Sequence, residues 1–356
     1  MRNPLDRTVD RLRKRLARRR YMPRPRRRGT GTTAKIAIVA LVTILAIAAV
    51  LELRGGDGDA AAFLETAASE AIPPLDLLAA AARTNRLVLL ADVAGSPSAK
   101  RFAAEVIDTI ANGSGLDAVV LEVGSDQQQW IDLYLESRPE DPSILLTRPA
   151  ILLEAQGTGR EYLEIYRTVW RLNDELGADR AIRIVAADLP EWGTAITSPS
   201  QAATLFGRRD AHMVARVQDR ILARNARARV LFVVNGLHVL RGEAQAQTGG
   251  TSPIRIEWLA ARLRDDIGEV YSALVDAPPA RTPVAPVAAY RGTTLHELIG
   301  RSLPGAPGRF ALRVDDTFDF ARNPLRIASP PGLAFDLLPR DFRLRDQVDA
   351  YIFLAR

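Results

Sequence analysis

The chain of 356 residues is 47% apolar and 25% charged, a globular balance that excludes overall disorder and a fibrous repeat. It has no cysteine and three histidines, His212, His238 and His296. That excludes a disulfide framework, thiol catalysis, zinc–thiolate sites and any His-rich metal centre, and no metal site is expected. The net charge of +6 is unevenly spread: residues 1–35 hold 14 Lys/Arg against Asp6 and Asp10, so a head of +12 precedes a body of −6. The acidic body is not expected to bind nucleic acid.

Within the head, Leu5, Val9, Leu12 and Leu16 recur at helical spacing among arginines. The pattern fits either a helix lying on an anionic leaflet or a solvated basic tail. Ile36–Leu51 is an apolar run broken only by Thr43. With its flanks it reaches the roughly 17–25 residues of a membrane span, and a transmembrane helix is expected over 35–53. Arg26, Arg27, Arg28 and Lys35 precede it; Glu52 and Arg54 follow. Positive-inside then places residues 1–34 in the cytoplasm as a basic head. The main domain lies outside an inner (plasma) membrane crossed once. A cleaved signal peptide is the alternative, with Ala46, Ala48 and Ala49 near a cleavage site. The head is longer than a usual n-region, which favours an uncleaved anchor. Residues 54–59, rich in Gly and Asp, read as a linker.

Residues 60–356 read as one large domain. Ala60–Arg83 is expected to form two helices split at Pro73-Pro74. Then Arg86–Ala91, Asp117–Val123, Ala181–Ala187, Arg229–Val234 and Glu269–Val275 form largely apolar runs, as buried parallel strands require. Between them Ser98–Asn112, Asp126–Glu136, Arg160–Leu176, Phe206–Ala226 and Trp258–Asp265 have helical spacing. Pro-rich Ala277–Ala289 reads as a surface loop, and Phe310–Val314 and Val348–Leu354 as late strands at a sheet edge. The expected fold class is α/β: a mostly parallel sheet with helices on both faces, preceded by one N-terminal transmembrane helix.

In such a sheet ligands bind outside the carboxyl ends of the strands. Asp92 follows the first strand, Glu122 lies near the end of the second, Asp188 follows the third, and His238 lies just past the fourth. Arg209 and Asp210 sit on the helix that leads to the fourth strand. Carboxylates, an imidazole and a guanidinium on one rim suit acid–base chemistry or ligand binding. Each also has a plain structural use: Asp92 as a turn cap, Glu122 paired with Arg209, Asp210 at a helix start. His212 reads as a solvated helix residue and His296 as structural. No phosphate loop and no GxSxG elbow is present.

Several segments resemble the erythromycin esterase/ChaN/Tiki superfamily over roughly Leu87 to Leu263. They are Leu121-Glu122-Val123 with Asp126-Gln127-Gln128-Gln129, Ile184-Val185-Ala186-Ala187-Asp188-Leu189-Pro190, Arg209-Asp210-Ala211-His212-Met213 as RDxxM, and Val233-Val234-Asn235-Gly236-Leu237-His238-Val239. Asp349-Ala350-Tyr351-Ile352-Phe353-Leu354 resembles the closing strand of esterase-like members. The first motif departs from the family. Asp92 stands where the resemblance implies Glu, and Ala94 or Gly95 stands where it implies a histidine serving as base or metal ligand. The resemblance thus implies a rim of His238, Glu122, Asp92, Arg209 and Asp210. Two functions follow. One is a weak or silent member that binds a small-molecule ligand outside the membrane. The other is an active hydrolase in which His238 activates water, Glu122 assists and Arg209 polarises a substrate oxygen. Haem binding occurs among ChaN-like proteins, but no axial-ligand pattern is readable, so the cofactor stays unknown.

Overall fold

The computed structural model describes residues 58–355 except 154–157, 191–198, 247–253, 279–287, 291–292, 304–307, 319–322, 325–334 and 337–342. The basic head and the expected span over 35–53 lie outside the described residues. Among the described residues no helix is long and apolar enough to cross a membrane.

Helices α1 (Gly58–Ser69) and α2 (Pro74–Thr84) are divided at the two prolines, with Pro74 opening α2, where its fixed φ suits the first turn. Strand β1 (Leu87–Asp92) is buried along its whole length. After it, α3 (Pro97–Gly113) starts at the Ser96 cap, whose hydroxyl accepts from the Ala99 N–H at 3.4 Å. Strand β2 (Ala118–Gly124) runs through a 3-10 turn, Ser125–Gln127, into α4 (Gln128–Glu136). The short α5 (Ser143–Leu146) and long α6 (Gly159–Leu176) lead to β3 (Arg183–Asp188). Helix α7 (Pro199–Val217) continues as a π turn, Gln218–Leu222, before β4 (Val230–Asn235). A hairpin of β5 (Glu243–Ala246) and β6 (Ile254–Glu257) precedes α8 (Leu259–Ile267) and β7 (Val270–Asp276). Then come β8 (Ala288–Tyr290), β9 (Thr293–Thr294), α9 (Leu295–Ser302), β10 (Arg309–Arg313), β11 (Asn323–Pro324), β12 (Phe335–Asp336) and β13 (Ala350–Leu354).

The main sheet has the order β10-β13-β7-β1-β4-β2-β3, and within it only β10 runs antiparallel. The chain steps one way across the sheet from β1 to β2 to β3, then back to β4 and on to β7. Right-handed crossovers therefore put α3 and α6 on one face and α7 and α8 on the other. The helices of each pair pack on one another. The expected α/β class with a mostly parallel sheet is the observed one.

Some boundaries differ. The helix expected from Phe206 begins at Pro199 and leaves the α form at Val217, where a π turn takes over. Of the two late strands, β10 is the edge, whereas β13 is enclosed between β10 and β7. The β5–β6 hairpin has strands too short for a period to show, whereas α9 did carry a signal that the sequence reading left unused: a Thr294–Glu297 capping box with Leu295, Leu298 and Ile299 on one buried face. Within the loop expected over 277–289, the described residues Ala288 and Ala289 belong to β8.

Strands β1 and β4 are neighbours, yet the chain leaves them in opposite directions, toward β2 and toward β7. A crevice at such a switch point is where open α/β sheets take ligands. In register, Asp92 lies beside Asn235 at its lip.

Candidate functional site

Glu122 is aimed by an irregularity in β2: pairing with β3 slips between Leu121 and Gly124. Bulges of this kind redirect a side chain at the end of a strand. One Glu122 oxygen, Oε2, accepts the Asn235 N–H at 2.6 Å, and the other accepts from Arg209 Nη2. Arg209 reaches from α7 and also grips Asp188 with two bonds, Nε to Oδ1 at 2.7 Å and Nη2 to Oδ2 at 2.5 Å. Arg209 and Asp188 are 4% and 1% exposed, so this fork lies out of water. A planar guanidinium alone can serve two carboxylates in this way.

His238 sits in a tight turn after β4. Its N–H donates to the Asn235 carbonyl at 2.9 Å, and the Asn235 side chain accepts from the Leu237 N–H at 3.1 Å. The His238 carbonyl takes the Ala260 N–H, tying the turn to α8. The imidazole is 1% exposed and stands edge-on to Trp258, with centroids 5.9 Å apart. Nδ1 lies 2.5 Å from Asp210 Oδ1, a charge contact without directional hydrogen-bond geometry. Nε2 lies 3.9 Å from Glu122 Oε1.

Burial pushes the His238 pKa down, but Asp210 and then Glu122 outweigh it, and the net displacement is upward from 6.5. For Glu122, burial pushes upward, but Arg209, His238 and the Asn235 N–H together hold it below 4.5. Glu122, with its depressed value, contributes stability that is present above pH 4.5 and lost as pH falls through its folded value. His238, with its raised value, contributes stability that is present below pH 6.5 and lost as pH rises through its folded value. Denaturant midpoints should therefore peak between pH 4.5 and 6.5. In Asp210→Asn the alkaline decline should shrink, since its main cause is removed. An alkaline limb unchanged by Asp210→Asn would refute the assignment.

Asp92 is reached by a group the sequence reading did not name. Lys100 of α3 is fully buried and its ammonium bonds Asp92 Oδ2. The ammonium also stands 5.3 Å from the centre of the Tyr162 ring. Asp92 Oδ1 is buried without a hydrogen-bond partner. Tyr162 joins this charge cluster: burial first, then Tyr166, then Asp92, Glu122 and Asp188 push its hydroxyl well above 10.0. A signal for Lys100 existed in its spacing. Ala103, Ala104 and Ile107, three, four and seven residues on, form the buried stripe of α3.

All five expected rim residues thus stand at the carboxyl edge of the sheet, with Asp188, Lys100 and Tyr162 completing the cluster. His212 is not simply solvated: its Nε2 lies 3.2 Å from Ser125 Oγ. His296 contacts Asp276 Oδ1 through Nδ1 at 3.2 Å, and its ring lies tilted against Phe353 with centroids 4.6 Å apart, as its structural reading expects. Among the described residues no group of three or more His, Asp or Glu is arranged to hold a metal ion. Two clefts of about 610 and 580 Å³ open at the other end of the sheet, around Arg183 and Arg224, and contain none of these rim residues.

No protein-family model and no curated protein sequence matches the chain. Solved structures do. A mutant of erythromycin esterase EreC in its open conformation is 14% identical and matches with a TM-score of 0.53, over 78% of this chain and 92% of that one. The fold is that of erythromycin esterase. A Bacillus cereus protein matches equally well, at 11% identity, TM-score 0.53, and 79% and 91% of the two chains. ChaN of Campylobacter jejuni, described with cofacially bound haem, aligns over 58% of this chain at 9% identity and a TM-score of 0.36. That last likeness carries no weight here. Identities this low establish the erythromycin esterase fold and leave chemistry to the residues at the rim.

Proposed function

We propose that this is a membrane-anchored, extracytoplasmic protein whose erythromycin esterase-like domain binds a small polar ligand at the β1/β4 crevice, without hydrolysis driven by His238. The observation that carries the reading is the setting of His238. Both ring nitrogens face carboxylates, the ring is buried, and its pKa is raised. A ring this deeply buried, with each nitrogen turned to a carboxylate, leaves no open nitrogen beside which a water could be activated. The first-motif histidine is absent, and Lys100 neutralises Asp92. What remains suits a ligand bearing hydroxyl or ammonium donors, since Asp92 Oδ1 is an acceptor with no partner.

Erythromycin, a polyhydroxylated lactone with an amino sugar, is the natural first probe. It should raise the melting temperature of the full chain with concentration, by the mass-action stabilisation that any native-state ligand gives. Asp92→Asn should diminish the shift. Absence of a shift at millimolar erythromycin would remove the binding reading. The 2.5 Å contact of Asp210 with His238 favours a second reading, a working hydrolase with an oriented base. Lactone opening that falls at least ~100-fold in His238→Ala would establish that reading in place of the first.

The anchor rests on the apolar run 36–51 and the basic residues before it. A reporter that works only after export should be active when fused after Gly58. Activity of a cytoplasm-dependent reporter at the same place would invert the topology.

A further inference from the structure

Beyond the charge cluster, the rim carries a hydroxyl and an imidazole in direct contact. Ser125 Oγ and His212 Nε2 are 3.2 Å apart, though 87 residues separate them. Both residues are half-buried, unlike His238. We propose that Ser125 and His212 form a nucleophile–base pair for transfer of an acyl group from a small carboxylic ester. This activity is separate from the His238 chemistry considered above.

The fold explains why these two residues meet. Ser125 is the first residue after β2, three positions beyond Glu122, at the carboxyl edge where parallel sheets place reacting groups. His212 lies on α7 three residues after Arg209, hence on the same helix face. Arg209 is fixed to Glu122 on β2 and to Asp188 on β3, and Gly124 pairs with Asp188 in register. The clamp that holds α7 against the sheet therefore also sets the Ser125–His212 distance. Gly124 contributes too: a Cβ there would come within 2.6 Å of Asp126 Oδ1, so the turn that presents Ser125 needs glycine unless Asp126 moves. Ser125 opens a helical run that continues to Glu136. The first N–H groups of such a run have no intrahelical acceptor, and the end carries partial positive charge where an oxyanion would form. Asp126, the next residue in the turn, is exposed, and its Oδ2 accepts from Gln127 Nε2.

The chemistry balances with these groups and water. Ser125 Oγ attacks the ester carbonyl carbon while its proton passes to His212 Nε2. The tetrahedral oxyanion collapses, the C–O bond to the alcohol breaks, and His212 returns the proton to that leaving oxygen. Water then attacks the acyl-serine and gives a proton to His212. The Oγ–acyl bond breaks, and the proton goes back to Ser125 as the carboxylic acid departs.

A fluorophosphonate probe tests the pair on the full chain in detergent. Its P–F bond breaks as a bond to Ser125 Oγ forms, and fluoride leaves. Peptide mass mapping should find the adduct on Ser125. Ser125→Ala should abolish it, and His212→Gln should slow it at least ~100-fold, the usual range for loss of a general base. His296→Gln should label at the wild-type rate. If His212→Gln melts early, His212→Asn and the p-nitrophenyl acetate burst of the wild type provide the same comparison. An unlabelled Ser125 in folded wild-type protein, or His212→Gln labelling as fast as wild type, would overturn the proposal. Labelling is read independently of the erythromycin-induced melting shift, so either reading can fail while the other stands.

Discussion

Arg209→Met should cost about 3–5 kcal/mol of stability, the usual penalty for removing one partner of a buried ion pair. The reason lies in what the substitution leaves behind. Arg209 holds Glu122 and Asp188 together, and both lose their counter-ion at once. Asp188 is 1% exposed and cannot recover its hydration without opening the sheet edge. Two carboxylates brought to one guanidinium would then face each other across a dry gap, which favours protonation of one of them. Domains are stable by about 5–15 kcal/mol, so such a loss consumes much of the margin. Arg209→Lys should recover only part of it, because an ammonium has no planar fork with which to grip both acids. Urea unfolding at pH 7 measures the effect, and a loss below about 1 kcal/mol, the level of an exposed pair, would show the clamp to be dispensable. At lower pH the Met variant should recover relative to wild type, since protonated acids need no cation.

The sequence made the parallel core legible because its strands are largely apolar runs of six or seven residues. Leu87–Asp92 and Val230–Asn235 could be placed to within a residue or two for that reason. The rim was legible as well, since topology sends the ends of parallel strands to one edge. Two kinds of information were not. Asp92 could be seen, but its partner Lys100 could not be paired with it, because the contact depends on how α3 turns over β1. Ser125 follows β2 and His212 lies on α7, 87 residues on, and only folding brings them within 3.2 Å. The π turn at Gln218–Leu222 was hidden for another reason: residues 206–226 keep enough helical spacing to read as one helix. Short strands such as β8 and β9 have too few residues for any period to show.

The pair of Asp92 and Lys100 should behave as a neutral unit that is costly to break singly. Lys100→Met should destabilise the domain by about 3–5 kcal/mol, because it leaves Asp92 as a buried carboxylate with no cation. Asp92→Asn should cost a similar amount, because the buried ammonium loses its carboxylate. Met fills nearly the volume of the Lys stem, so these losses are electrostatic and not the result of a cavity. The double variant Asp92→Asn, Lys100→Met removes both charges and should be near wild type or more stable, since the burial cost of two ions disappears along with their attraction. A double-mutant cycle from chemical denaturation therefore gives a coupling of several kcal/mol for a pair that contributes little net stability. Additive losses in the double variant would mean that Lys100 stabilises the core by packing over Tyr162 and not by holding Asp92. If coupling is found, Asp92→Asn alone should weaken erythromycin binding, while the double variant, though stable, should remain equally impaired. That separates the carboxylate's part in the ligand site from its part in the fold.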